Sequence, residues 1–457
     1  VWLQNALVSA YGLELRRRRY GPEHERTLRR LRASQWRSGD ELARAQLAAL
    51  NGLLAEARLT VPFYAGRLPV SPLRSLDELR TIPILTKSDV RRAGLALVSG
   101  KYARRRLHVV HTGGTTGTPL PVYCTRTVLQ RNYAFFARFR EWVGVPAGAR
   151  VATFAGRTVA PPDQMRPPYW RRNWAANTLL CSSYHIAHDT VAAYVEALAQ
   201  FAPMLIDSYP SSVEPIARFM RTHGLRAPRP QAVITSSETL DPPVRRLVEH
   251  AFGCPVFDHY GAAEMAAFIT QCRAGVYHVN PEFGIVEILR DGEPVRPGEA
   301  GEIVATGFIN PVMPLIRYAT GDVAVRGAQG CSCGRAFPVV ERLVGRTDDV
   351  LVTPEGRRIG RLDPIFKSVA SLVETRIVQD AVDHVRVETV TDGELPAIEQ
   401  ATLMGELRNR LGPSVRIDVI RVPRIARTSS GKFRAVVNLL ESPEHEPAGP
   451  HIGPGRS

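Results

Sequence analysis

Between residues 190 and 260 the apolar positions keep two alternating rhythms. Helical spacing runs through TVAAYVEALAQF, SVEPIARFMRTHG and PPVRRLVEHAF, and between these lie short apolar runs, PMLIDSY, QAVITSS and PVFDHYG. Helix and strand alternating in this way predict parallel strands covered by helices. Loops at the carboxyl ends of such strands are where ligands bind. Upstream, residues 1–60 read as helical, with apolar residues at helical spacing through ELARAQLAALNGLLAEA. A proline-punctuated connection follows (LPVSPL, TIPIL), then the helix VLQRNYAFFARFREWVGV and the strand RVATFAG. Beyond 280 the texture turns to strands and turns (FGIVEIL, RDGEP, GEIVATGF), with a further break at LVGRTDDVLV. After it a strand, the helix LDPIFKSVASLV and more strands predict a small α+β unit. The expected class is α/β: a large multi-layer N-terminal domain (1–345) with parallel sheets flanked by helices plus a β subdomain, and a small, mobile α+β C-terminal domain (346–440). The tail 441–457, rich in Pro, Gly and charge, is predicted to be disordered.

A chain of 457 residues is too long for one ordinary core, which agrees with this division. Apolar content of 44% and charged content of 23% are those of a soluble globular protein. No apolar run approaches the roughly 20 residues of a membrane span, and the N-terminal apolar stretch precedes its arginines, the reverse of a secretory signal. A cytoplasmic location with no membrane partner is expected. The net charge of +15 is scattered along the chain, so no specific nucleic-acid partner is expected either. Only four of the 59 basic residues are lysine, which singles out a lysine in a glycine-bearing motif.

The stretch HTGGTTGTP carries three glycines and four threonines in nine positions. Glycines let a backbone bend sharply, and N–H groups plus hydroxyls make a dense donor cluster suited to phosphate. It closes on Gly117-Thr118-Pro119, so it is not the Gly-Lys-Ser/Thr loop of common NTPases. Four further signals follow in order: DHYGAAE, with Tyr260 and Glu264 just after a strand; RYATGD, ending in Asp322; GRTDD at the boundary of the small domain; and RTSSGKFR, with Lys432. This order and spacing resemble the adenylate-forming superfamily of acyl-CoA synthetases and adenylation domains, over essentially the whole chain to about 440. TGGTTGTP, QNALVSAYGLE, SSYHIAHDT and SYPSS look more narrowly like the phenylacetate-CoA ligase and CapK-like branch.

The resemblance implies ATP-dependent activation of a small-molecule carboxylic acid as acyl-AMP with release of pyrophosphate, then transfer to CoA. It implies that Thr112, Gly113, Gly114, Thr115, Thr116 and Gly117 hold the triphosphate, and that Ser237, Glu238, Asp258, Tyr260 and Gly261 lie at the nucleotide. Asp322 would accept from both ribose hydroxyls, a task for an acceptor-only carboxylate, and Arg346 would assist at the ribose or phosphate edge. Glu264 would bind Mg²⁺, a hard oxygen-seeking ion. Lys432 would bridge the substrate carboxylate and the α-phosphate, and Asp348 would be the hinge on which the small domain swings. Two positions depart from the family pattern. Leu120 stands where many relatives end the phosphate loop with lysine, and RYATGD carries its arginine, Arg317, before the tyrosine. Sequence does not say whether Arg317 replaces the missing arginine.

Cys272, His278, Cys331 and Cys333 form a Cys-x5-His and Cys-x-Cys set of the ligand types zinc prefers. The alternative is a buried Cys272 and two loop cysteines. Some members of the branch resemble this chain in carrying a structural zinc on such ligands. Tyr169, Trp170, Trp174 and Tyr184 hint at an aryl substrate, and core packing explains them equally well. Transfer to an amine or a carrier-protein thiol, AMP transfer to a cofactor's own phosphate or hydroxyl, and a non-catalytic nucleotide-binding accessory role all share these motifs. The oligomeric state is not set by the sequence, and a dimer is left open.

Overall fold

The computed structural model describes residues 1–440 except 112–119, 157–158, 162–163, 188, 226–228, 329, 346–350, 357, 360–361, 363–368, 370, 392–393, 424 and 426–435. The helix predicted at LDPIFKSVASLV and the tail 441–457 therefore fall largely or wholly outside the described residues.

Three helices open the chain: α1 (Trp2–Arg19), α2 (Pro22–Ser34) and α3 (Gly39–Thr60). A reciprocal capping box starts α3, Ser38 accepting from the Glu41 N–H while Glu41 accepts from the Ser38 N–H. After α4 (Lys87–Ala93) a two-stranded hairpin forms from β1 (His108–His111) and β2 (Pro121–Cys124), and α5 (Arg126–Trp142) follows. The alternating region then runs as expected: β3 (Val151–Phe154), β4 (Trp170–Asn173), β5 (Thr178–Cys181), α6 (Val191–Phe201), β6 (Leu205–Ser208), α7 (Pro210–Thr222), β7 (Ala232–Ser236), α8 (Pro242–Phe252) and β8 (Val256–Gly261). Helix α8 begins on prolines and ends on Gly253 at φ +62°, a start and stop written into the sequence.

Strands β5, β3, β6, β7 and β8 lie side by side in parallel. Alternate side chains sort to two faces: Val151, Leu205, Ala232 and Phe257 pack with α5, and Ala152, Ile206, Val233 and Val256 pack with α6, α7 and α8. Seven antiparallel strands continue the same sheet: β9 (Phe268–Gln271), β10 (Tyr277–Val279), β11 (Gly284–Arg290), β12 (Glu293–Pro294), β13 (Ala300–Gly307), β14 (Tyr318–Arg326) and β15 (Val339–Gly345). The expected β subdomain is thus continuous with the parallel run, in the order β12-β11-β13-β14-β15-β10-β9-β8-β7-β6-β3-β5-β4. At the far edge, α1 covers β4: Asn5 accepts from the Arg172 N–H, Ser9 Oγ from the Trp174 N–H, and Arg16 donates to the Ala175 carbonyl. Gly12 lies so close to Asn173 that a Cβ there would sit 2.1 Å from its amide nitrogen.

Past residue 350 a short hairpin, β16 (Leu351–Val352) with β17 (Arg358–Ile359), leads to a four-stranded sheet of β18 (Leu372–Ala381), β19 (His384–Thr391), β20 (Arg416–Arg421) and β21 (Val436–Asn438). Helix α9 (Ala397–Leu411) buries Leu403, Leu407 and Leu411 in a core separate from those of the large sheet.

Candidate active site

The sheet changes from parallel to antiparallel at β8, and the residues singled out by motif gather at that seam. Tyr260, near the end of β8, donates its hydroxyl to Asp322 Oδ2 at 2.7 Å. Tyr318, on β14, donates to Glu264 Oε1 at 3.0 Å. The two bonds cross between the segment that follows the parallel run and the strand that returns from the antiparallel one. They orient both carboxylates at the seam. Burial first, and the charge of Asp322 second, hold the Tyr260 phenol well above its ordinary range, so it stays a donor. The loop carrying Glu264 has little freedom: a Cβ on Gly307 would come within 2.7 Å of the Met265 carbonyl, and one on Gly284 within 2.7 Å of the Ala266 carbonyl. Only glycine lets these backbones approach so closely.

At the end of β7, Glu238 accepts from both the N–H and the hydroxyl of Ser211, in the first turn of α7. Ser237 beside it is exposed and adopts φ +70°, and Gly261 is exposed at the end of β8. Asp258 has a different task from the nucleotide contact expected of it. It is 4% exposed and its two oxygens accept from Thr235 Oγ1 and the Tyr277 hydroxyl, both at 2.7 Å, which leaves no face toward a ligand. Burial raises its pKa to about 6. Arg317 does not stand in for the missing arginine. Its guanidinium is buried, paired through two nitrogens with Glu287 at 3.0 Å each and bonded to the carbonyls of Arg80 and Ile82. The phosphate-loop residues Thr112, Gly113, Gly114, Thr115, Thr116 and Gly117 lie outside the described residues, as do Arg346, Asp348 and Lys432. The hairpin on either side of that loop pairs His111 with Pro121.

Tyr318 is a functional candidate that the motif reading did not single out, although it lies inside RYATGD; a buried tyrosine at a strand start carries no signal of its partner. Of the four aromatics taken to hint at a flat substrate, Tyr169 and Trp170 pack on Tyr194 in the core and Trp174 sits on the turn beneath α1. Tyr184 alone of the four lies in a strand-end loop with its ring facing another unit, bonded to the Gly156 carbonyl with Arg410 of α9 5.3 Å over its ring.

A second cluster stands on the hairpin between β9 and β10 and the loop before β15. The ligand atoms of Cys272, His278, Cys331 and Cys333 all lie within 4.8 Å of one another. Cys272 Sγ is 3.6 Å from Cys331 Sγ, and Cys333 Sγ is 3.4 Å from His278 Nε2. Two thiolates on tetrahedral zinc are separated by about 3.7 Å, so the donors fit that ion, and 3.6 Å is far from a disulfide. Burial pushes the His278 pKa down to about 4, which keeps the imidazole neutral, as a metal ligand must be. Arg335, next in the loop, is held between the rings of Trp36 and Trp142 at 4.8 and 4.0 Å.

The fold is shared with adenylate-forming ligases, and along most of its length the chain is similar to proteins of the CapK and phenylacetate-CoA ligase-like branch of that superfamily. The CapK C-terminal domain family matches residues 351–439. Protein CapK of Staphylococcus aureus is 26% identical over 452 residues, covering 96% of this chain and 97% of the relative. A phenylacetate-coenzyme A ligase of Thermus thermophilus is 25% identical, covering 88% and 97%. Among solved structures, a 2-hydroxyisobutyryl-CoA ligase in complex with 2-HIB-AMP and CoA in its thioesterification state superposes with a TM-score of 0.61 at 22% identity, over 88% of this chain and 91% of that one, which shows the shared fold. No described helix is long and apolar enough to cross a membrane.

Proposed function

We propose that this chain joins a carboxylic acid to the α-phosphate of ATP as an acyl-adenylate, releases pyrophosphate, and passes the acyl group to the thiol of CoA. The observation that carries the reading is the crossed pair of tyrosine–carboxylate bonds, which presents Asp322 and Glu264 together at the sheet seam of a chain similar along nearly its whole length to a phenylacetate-CoA ligase. Asp322, oriented by Tyr260, takes the ribose hydroxyls. Glu264, oriented by Tyr318, would hold Mg²⁺, and the ion would supply neutralisation of phosphate charge there. The segment 112–117 cradles the triphosphate, Arg346 works at its edge, and Lys432 stabilises the charge that develops as the carboxylate attacks. The small domain, 346–440, swings on Asp348 between the two half-reactions, in a compartment that supplies ATP and CoA, the cytoplasm. An aryl acid is the first class to test, because the named activity of several relatives is on phenylacetate. For the four-residue cluster we propose a structural zinc: four protein ligands close the coordination sphere and leave no position for chemistry.

The test is pyrophosphate exchange into ATP across a panel of aryl and aliphatic acids, repeated with CoA, an amine and a carrier protein as acceptors. Acid-dependent exchange followed by a CoA thioester is the expected result. No exchange with any acid would overturn the activation step, and acyl transfer to the amine or carrier in preference to CoA would overturn the acceptor.

A further inference from the structure

Helix α1 turns several large apolar side chains away from the protein. The face it turns to the protein is polar and small, Asn5, Ser9, Gly12 and Arg16 meeting β4 and the turn after it. The opposite face carries Leu3, Leu7 and Tyr11 at four-residue intervals, 65%, 63% and 64% exposed, and Trp2, about 100° round the helix from Leu3, is 72% exposed in the first turn. Seven of the 20 large hydrophobic residues exposed among the described residues fall within residues 1–20, so exposed apolar surface is concentrated at this end of the fold. Its last turn is Arg16, Arg17, Arg18 and Arg19, and α2 adds exposed Arg29 and Arg30. The chain as a whole carries +15.

We propose that α1 docks the protein on an anionic phospholipid surface. Trp2, Leu3, Leu7 and Tyr11 enter the headgroup boundary, and the arginine-rich end of the helix and its neighbour meet the lipid phosphates. Leucine and tyrosine on one face, a tryptophan exposed in the first turn and arginines in the last are the side chains that hold a helix in a membrane interface. The polar inner face, which such a helix ordinarily gives to water, here grips the edge strand. A second copy fits less well: the four side chains offer on the order of 500 Å², short of the roughly 800 Å² per partner of a stable interface. The expectation of no membrane partner rested on the lack of a spanning segment, and a helix lying in the plane needs none.

The test floats the full chain with vesicles of phosphatidylcholine alone and with about one third phosphatidylglycerol. Binding at least tenfold stronger to the anionic vesicles is expected. The double variant Leu3→Glu/Leu7→Glu should cut it tenfold or more with an unchanged melting temperature, and Arg17→Glu should cut it about fivefold or more. No binding to either vesicle overturns the proposal. So does equal binding by the double variant, which would mean that scattered charge alone is responsible. A dimer in light scattering that the double variant dissolves would give the face to a second copy. Adenylation is not read in any arm, so failure here leaves the proposed reaction untouched.

Discussion

Replacing Tyr260 by phenylalanine keeps the ring and removes one hydroxyl, which isolates the bond to Asp322. A hydrogen bond to a charged group contributes about 1.5–3 kcal/mol, equivalent to a factor of roughly 10–150 in affinity. Asp322 is only partly buried and keeps further polar contacts, so water and those partners recover some of the loss, and the lower end applies. The KM for ATP should rise about tenfold, because an unrestrained carboxylate must be ordered again each time the ribose binds. The turnover number should change little, since the ribose lies away from the bond being made. The assay is pyrophosphate exchange at varied ATP, with Asp322→Asn and the double variant completing a cycle. If the two residues act through their mutual bond, the double variant should be scarcely worse than Asp322→Asn alone. Effects that add independently, or an unchanged KM in Tyr260→Phe, would refute the reasoning, because Asp322 would then be held by something else or would not meet the nucleotide.

Arg317→Ala should lower stability by about 3–5 kcal/mol in urea unfolding, since it strands Glu287 and two backbone carbonyls in the interior; a stable variant with weakened ATP binding would instead return Arg317 to the nucleotide. Asp258 has a folded-state pKa raised to about 6, so the stability its protonated form confers is present below about pH 4 and is lost as the pH rises through 6. Asp258→Asn does not titrate, and between pH 4 and pH 7 its unfolding free energy should gain on the parent by up to about 3 kcal/mol, whereas a pH-independent difference would exclude a buried titrating Asp258. Protein prepared without chelator should hold about one zinc per chain, and Cys331→Ser should lower metal content and melting temperature together; metal-free parent protein would reject the cluster as a zinc site.

The alternation of helix and strand from 190 to 261 was legible because each strand there is a short apolar run between amphipathic helices, and prolines and glycines mark the ends of α8. Tyr260, Glu264 and Asp322 were found by the order of their motifs, and they do converge. What the sequence hid is long-range. Nothing in RYATGD shows that Tyr318 meets a glutamate 54 positions earlier, or that Arg317 turns inward to Glu287. In the sequence Asp258 reads like Tyr260 and Gly261, and only its place one pleat deeper on β8 makes it a buried acceptor. The continuity of the parallel run with the β subdomain was not legible, because strand periodicity is local and cannot say that β8 and β9 share an edge. Helix α1 escaped for the same reason: a helical pattern gives two faces and does not say which one the protein takes.

The place of β15 in the sheet has a consequence for how the chain is made. It is the last strand of the large sheet in sequence, yet it lies between β14 and β10, well inside the finished order. A nascent chain that has emerged only to residue 330 has two open edges facing each other across a missing strand, and open edges invite pairing with other chains. The Cys331 and Cys333 loop comes next off the ribosome, and its partners, Cys272 and His278, wait beside the β10 edge of that gap. With the proposed zinc bound, closing the cluster would thread β15 into its slot as it is synthesised, so a chain starved of that metal should fail first by aggregation during production, before any loss of activity in the folded protein is seen.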